Sequence, residues 1–171
     1  FYYGQDWQPQ GRTNQGTLVT SVQPLPEMTL VTFDGQPFPL KQLHGRWTLL
    51  TVSPADCTSA CEQNLYKMRQ IRIALNQDVQ RVQRVLLAQD KSRLTNLAKL
   101  QAEYQGTLWL TGDAETLTTL LQKLDALTTN IPDKIYLLDP LGNLLMYYAA
   151  DTDPKGLLKD LQRLLKLSRI G

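Results

Sequence analysis

Three short apolar runs in this chain are each followed by a stretch whose leucines recur at helical spacing, and that alternation limits the fold to a sheet packed between helices. Arg46 to Val52 is nearly continuous in apolar and β-branched residues, the pattern of a strand covered on both sides. Behind it, Leu65, Met68, Ile71 and Leu75 share one helical face. Val82, Val85, Leu86 and Leu87 make the next strand, and Leu94, Leu97 and Leu100 mark a helix from about Ser92 to Tyr104. Leu108-Trp109-Leu110 is a third strand, after which Asp113 caps a helix striped by Leu117, Leu120, Leu121, Leu124 and Leu127.

The two ends read as antiparallel. Leu30-Val31-Thr32-Phe33 and Gln36-Pro37-Phe38-Pro39-Leu40 flank Asp34-Gly35, a hairpin signal with prolines marking an edge. A short helical turn covers Leu40 to His44. Near the C-terminus, Ile135–Leu138 and Leu144–Tyr148 flank Asp139-Pro140-Leu141-Gly142-Asn143, with Pro and Gly where a tight turn wants them. Asp153-Pro154 then opens a last helix with Leu157, Leu158, Leu161, Leu164 and Leu165 inward. The expected fold is α/β: a three-layer sandwich around a mostly parallel central sheet, with an N-terminal hairpin and a C-terminal antiparallel hairpin. The layout resembles a thioredoxin-like fold with one inserted strand and helix. Residues 17–171 are expected to form this one domain, without internal repeats.

Composition removes several function classes. The formal net charge is only +2 over 171 residues, and its basic residues are interspersed with acidic ones, so no nucleic-acid groove is indicated. Lys67–Arg69 and Arg81–Arg84 read as solvated faces. A 42% hydrophobic content suffices for a core without a disulfide framework. No run of about 18 apolar residues exists to span a bilayer. The chain begins at Phe1, so a signal or anchor segment is expected to have preceded it. Residues 1–16 read as a lead-in after such an anchor, with Phe1, Tyr2, Tyr3 and Trp7 suited either to a membrane interface or to packing on the domain.

Chemistry concentrates at Cys57 and Cys61, the only two cysteines. They stand where the Arg46–Val52 strand gives way to a helix. Four residues apart on a helix, their α-carbons lie about 6 Å apart, within disulfide reach. A disulfide closing so short a loop gains little chain entropy, and two ligands do not complete a structural zinc site. Redox exchange or a two-thiolate soft-metal site remains, beside the plainer reading of two inert thiols. With Cys57 at the first helical turn, the positive end of the helix favours its thiolate, making it the attacking sulfur and Cys61 the resolving one. Asp56 and Glu62 act against that thiolate.

Gly45–Val52, the CxxxC of Cys57-Thr58-Ser59-Ala60-Cys61, and Ile135-Tyr136-Leu137-Leu138-Asp139-Pro140-Leu141-Gly142 together resemble the Sco/SenC family of cytochrome c oxidase assembly proteins. Asn14–Leu18 with Pro24-Leu25 resembles the segment after the anchor in that family. The resemblance runs from about Asn14 to Leu167. It implies a membrane-anchored domain on the periplasmic face of the inner membrane, assisting assembly of the oxidase's copper centre. It also implies copper held by both cysteines and a histidine just before the Ile135–Leu138 strand. That position falls near Ile131-Pro132, where no histidine stands, and His44 precedes the first core strand. Met28, Met68, Met146 and Asp133 offer no evident substitute.

Dithiol–disulfide exchange with no cofactor is therefore the leading expectation. The partner would be a protein with its own cysteine pair, either an oxidase subunit or a copper chaperone. Alternatives are a copper(I) metallochaperone using Cys57 and Cys61 as metal ligands, and an assembly protein acting by contact alone. Pro132 occupies about the position of the cis-proline that shapes the substrate groove of thioredoxin-like oxidoreductases; an ordinary trans proline is the alternative. Peroxidase chemistry is not indicated, since Pro54 stands three residues before Cys57 where peroxiredoxins need Thr or Ser.

Overall fold

A computed structural model of the chain describes residues 16–128 and 133–168. The chain lays down β1 (Thr17–Pro24), β2 (Thr29–Thr32), β3 (Pro37–Pro39), β4 (Trp47–Ser53), α1 (Ser59–Ala74), β5 (Val82–Ala88), α2 (Leu97–Glu103), β6 (Thr107–Thr111), α3 (Ala114–Leu127), β7 (Ile135–Leu138), β8 (Asn143–Tyr148) and α4 (Pro154–Leu167). All eight strands join one sheet in the order β1-β8-β7-β4-β5-β6-β2-β3. The lead-in aromatics and Pro132 lie outside the described residues.

The α/β sandwich is as expected, but the sheet is not mostly parallel. Only β4–β5 and β5–β6 pair in parallel. β7 runs against β4, and every pairing further out is antiparallel. Parallel neighbours need a crossover that returns the chain to the same end of the sheet. Only the connections through α1 and α2 do so between adjacent strands; the α3 segment carries the chain past β5 to the far side of β4.

Two further expectations change. β1 was not legible: it pairs with β8, but its register shifts between Leu18 and Gln23, which breaks the alternation that announces a strand. The helix expected from Ser92 splits into a 3-10 turn at Lys91–Arg93 and α2. Asp90 caps the 3-10 turn by accepting the Ser92 N–H, and the Thr95 N–H is engaged by Asp56 across a loop.

Each face of the sheet has its own apolar layer. Trp47, Leu49, Leu65, Met68, Leu86 and Leu161 lie in the layer under α1, α2 and α4. Leu50, Val85, Leu87, Leu117, Leu120 and Leu124 fill the layer under α3. The inward stripe read from α1 is confirmed, with Leu65, Met68, Ile71 and Leu75 all buried. Arg84 departs from its expected solvated face: it sits in β5, 4% exposed, and its Nη2 donates to the Gln105 carbonyl at 2.6 Å. Burial, with Arg72 and Arg69 nearby, pulls its guanidinium down to about 10.

The turn joining β7 to β8 is held by Asp139, whose Oδ1 accepts the Leu141 and Asn143 N–H groups. Gly142 there has φ +84°, and a Cβ would come within 2.6 Å of His44 Nε2. α4 is capped by Asp153, with Pro154 in its first turn. Inside that helix the wholly buried Asp160 accepts Tyr148 Oη–H at 3.1 Å and the Gly16 N–H at 3.0 Å, tying the entry to β1 onto the domain.

Candidate redox site

β4 ends at Ser53, and residues 54–58 turn the chain into α1. Ser53 Oγ donates to the Ala55 carbonyl at 2.7 Å, tightening the bend. Cys57 and Cys61 meet just beyond it. They form a disulfide, with α-carbons 5.1 Å apart. Cys57 is not in the first turn of the helix, as its sequence position suggested. It lies one residue before the N-cap, Thr58, and Cys61 is the third helical residue. Outside the helix, the Cys57 N–H is taken up by the Asp56 carboxylate at 2.9 Å.

The two sulfurs have different surroundings. Cys61 is 4% exposed and packs into the α1/α4 layer, whereas Cys57 is half-buried. Cys57 opens onto a shallow groove of about 650 Å³ that runs past Glu62 and Tyr66 to Tyr104 and Pro154. Tyr66 is 49% exposed, and the Arg69 guanidinium lies 5.3 Å from its ring centroid and 4.9 Å from that of Tyr104. On the groove's other side Lys67 Nζ donates to the Ala150 carbonyl. Burial lowers the Lys67 ammonium from its ordinary range, with Asp151 and Asp153 opposing. Thr58 makes no side-chain cap, so the first N–H groups of α1 are not consumed by it and face the side from which Cys57 enters.

Asp56 works against a thiolate here. Its Oδ1 also accepts the Thr95 N–H at 3.0 Å, and its Oδ2 accepts Thr95 Oγ1–H at 2.8 Å. These hydrogen bonds, the Thr95 backbone bond foremost, hold the carboxyl below its usual range. A permanent negative charge therefore stands beside the Cys57 N–H. Removing it while keeping the acceptor, in Asp56→Asn, is expected to speed alkylation of reduced Cys57 at neutral pH by about two- to ten-fold. Stopped-flow measurement with a small alkylating agent checks this; an unchanged rate would show that the field of Asp56 does not reach the sulfur.

Behind Cys61, the side chain of Asn64 is wholly buried. Its Nδ2 donates to the Asp133 carbonyl at 2.9 Å and to Thr51 Oγ1 at 3.3 Å. Thr51 Oγ1–H in turn donates to the Lys134 carbonyl at 3.2 Å. β4 and β7 are antiparallel with Thr51 opposite Ile135, so these groups gather at the cysteine end of the sheet. Asp133 has φ +55° and follows directly on Pro132. Neither Asn64 nor the Asp56–Thr95 tie was anticipated. Asn64 left one signal: it is a polar residue on the face shared by Cys61, Met68 and Ile71.

His44 lies against the turn after β7. That turn follows Leu138, paired with Thr48 at the start of β4, whereas the cysteines follow its end. Six residues of strand rise separate the two sites, about 20 Å. Met68 is fully buried in the core and Met146 lies in β8. Among the described residues no three His, Cys, Asp or Glu side chains converge. For Cu(I), the reduced pair therefore supplies two soft sulfur donors and no evident third. No helix among the described residues is long and apolar enough to cross a membrane.

The model of a family described as transmembrane-like, thioredoxin-like, C-terminal domain matches residues 47–168. No curated protein matches. Among solved structures the chain is similar to copper-bound ScoI from Arabidopsis thaliana, with 18% identity, a TM-score of 0.69, and coverage of 84% of this chain and 99% of that one. It is similar to BsSco, described as a member of the Sco family of cytochrome c oxidase assembly proteins with a disulfide switch, at 18% identity and TM-score 0.64, covering 85% of this chain and 96% of that one. The thioredoxin domain of a thiol-disulfide oxidoreductase from Bacteroides vulgatus gives 14% identity and TM-score 0.60, over 85% of this chain and 96% of that one. These likenesses establish a fold shared by Sco proteins and thioredoxin-like oxidoreductases.

Proposed function

Because the chain belongs to the family of transmembrane-like, thioredoxin-like C-terminal domains, we propose that it exchanges electrons between the Cys57–Cys61 pair and a cysteine pair on a partner protein. The observation that carries this is the asymmetry of the disulfide, with one sulfur open to a groove and the other sealed in the core. In the reduced protein the Cys57 thiolate attacks the partner's disulfide, forming a mixed disulfide and releasing one partner thiolate. Cys61, deprotonated, then attacks the Cys57 sulfur, releases the second partner thiolate and restores the internal disulfide. Two electrons pass to the partner, and the thiol protons end on the two released sulfurs.

The setting we propose is assembly of a respiratory oxidase's copper centre at the periplasmic side of a membrane, with an anchor outside this chain. The likeness to Sco-family assembly proteins supports it. The receiving cysteines of an oxidase subunit must be reduced before copper enters, and this pair would keep them so. Pro132 is proposed to line the substrate side of the cysteines.

Equilibration in dithiothreitol or glutathione buffers, quenched by alkylation and read by mass, is expected to show both thiols appearing together in one reversible two-electron transition. A disulfide that reduces only when the protein unfolds would overturn the proposal. Carriage of Cu(I) as cargo would use the same two sulfurs; stoichiometric retention against a chelator, lost in Cys57→Ser, would mark that reading instead.

A further inference from the structure

Asn64 Oδ1 is buried and accepts no hydrogen bond among the described residues, although the amide nitrogen of the same side chain is fully engaged. A buried acceptor without a donor is costly, and native proteins rarely leave one without a reason. Asn64 is three residues after Cys61 on α1, and both side chains are buried. Residues so spaced are neighbours on a helix face. In the disulfide state Cys61 has no hydrogen to give. Reduction changes that: each sulfur becomes a thiol, and a thiol is a donor, if a weak one.

We propose that Asn64 is a positioning residue for the cysteine couple, its carboxamide oxygen accepting the Cys61 S–H that exists only in the reduced protein and so biasing the pair toward the dithiol. The inference rests on the exchange reaction proposed above and assigns a residue that sets its driving force. The balance is simple. A dithiol donor gives two electrons and two protons; the Cys57–Cys61 bond breaks, the donor closes its own disulfide, and the protons reside on Cys57 and Cys61. The new Cys61 S–H satisfies an oxygen that lacked a donor before the electrons arrived. The two bonds from Nδ2 are present in both states and cancel, so the oxygen alone distinguishes them. The same nitrogen fixes Asp133, the residue after Pro132, so the amide's orientation is held from both sides.

The test compares wild type with Asn64→Leu, which keeps the branching of the side chain and removes the oxygen, in the dithiothreitol equilibration described above. Loss of the acceptor is expected to shift the equilibrium toward the disulfide by about ten-fold, a potential about 30 mV more negative. Thr51→Val removes a partner of Nδ2 but leaves the oxygen, and is expected to keep the wild-type potential. A second readout does not depend on exchange. In Cys57→Ser the only thiol is Cys61, and its infrared S–H stretch is expected at lower frequency than in Cys57→Ser/Asn64→Leu. Equal potentials for wild type and Asn64→Leu, or equal S–H bands in the second pair, would overturn the assignment. If the native wild-type pair does not titrate reversibly, the exchange function fails, while the S–H comparison still decides whether Asn64 meets Cys61.

Discussion

Cys61→Ser is expected to stop exchange at the mixed disulfide, leaving the partner covalently attached to Cys57. A serine hydroxyl is not ionised at neutral pH and cannot displace the partner's thiolate. The chain has no other cysteine that could. A disulfide-containing peptide should therefore accumulate as a one-to-one adduct by mass, and multiple turnover should fall to the uncatalysed rate. Cys57→Ser should behave differently, because Cys61 is 4% exposed and cannot receive a peptide. It should form no adduct and show no turnover. Both variants lose the same disulfide, worth about 2 kcal/mol for so short a loop, so a stability difference cannot account for the contrast. Turnover by Cys61→Ser, or an adduct on Cys57→Ser, would reverse the assignment of attacking and resolving sulfurs.

Trp47→Ala is expected to be the most damaging single change to the fold, costing about 3–5 kcal/mol. Trp47 is the first residue of β4, fully buried, and pairs with Val82 where the two parallel strands begin. Its ring lies in the layer that holds α1 and α4 on the sheet. Truncation removes apolar contact and leaves a cavity between elements that cannot all close over it. Against a typical domain stability of about 5–15 kcal/mol this is a large share. Urea unfolding should show a lower midpoint with an unchanged slope. Trp47 stands at the opposite end of β4 from the cysteines, so the reduction potential of the folded fraction should stay at the wild-type value. A large change in that potential would mean the two ends of β4 are energetically coupled.

Much of this architecture is legible in the residues because period and burial coincide there. The inward stripe of α1, the core strands, the Asp34-Gly35 hairpin and the Asp139–Asn143 turn each follow from local chemistry. The cysteine pair was legible for the same reason, since it sits where a buried strand gives way to a striped helix. The antiparallel entry of β7 was not, because strand direction depends on where the α3 segment delivers the chain. β1 was hidden by its shift in register. The offset of Cys57 from the helix and the division of the 91–104 region meet at one carboxylate: Asp56 accepts from its neighbour Cys57 and from Thr95, which lies 39 residues beyond Asp56 in sequence. Such a link has no periodic signature. Arg84 was misread because a guanidinium between Gln83 and Val85 looks solvated until the turn leading into β6 brings the Gln105 carbonyl within reach.

The two flanks of the sheet are closed to newcomers. β3, at one rim, is Pro37-Phe38-Pro39, with a ring in place of a backbone donor at both ends. β1, at the other, changes register partway along and finishes on Pro24. A visiting polypeptide thus finds little to zip onto sideways, and the approach left to it is end-on, toward the sulfur that can react.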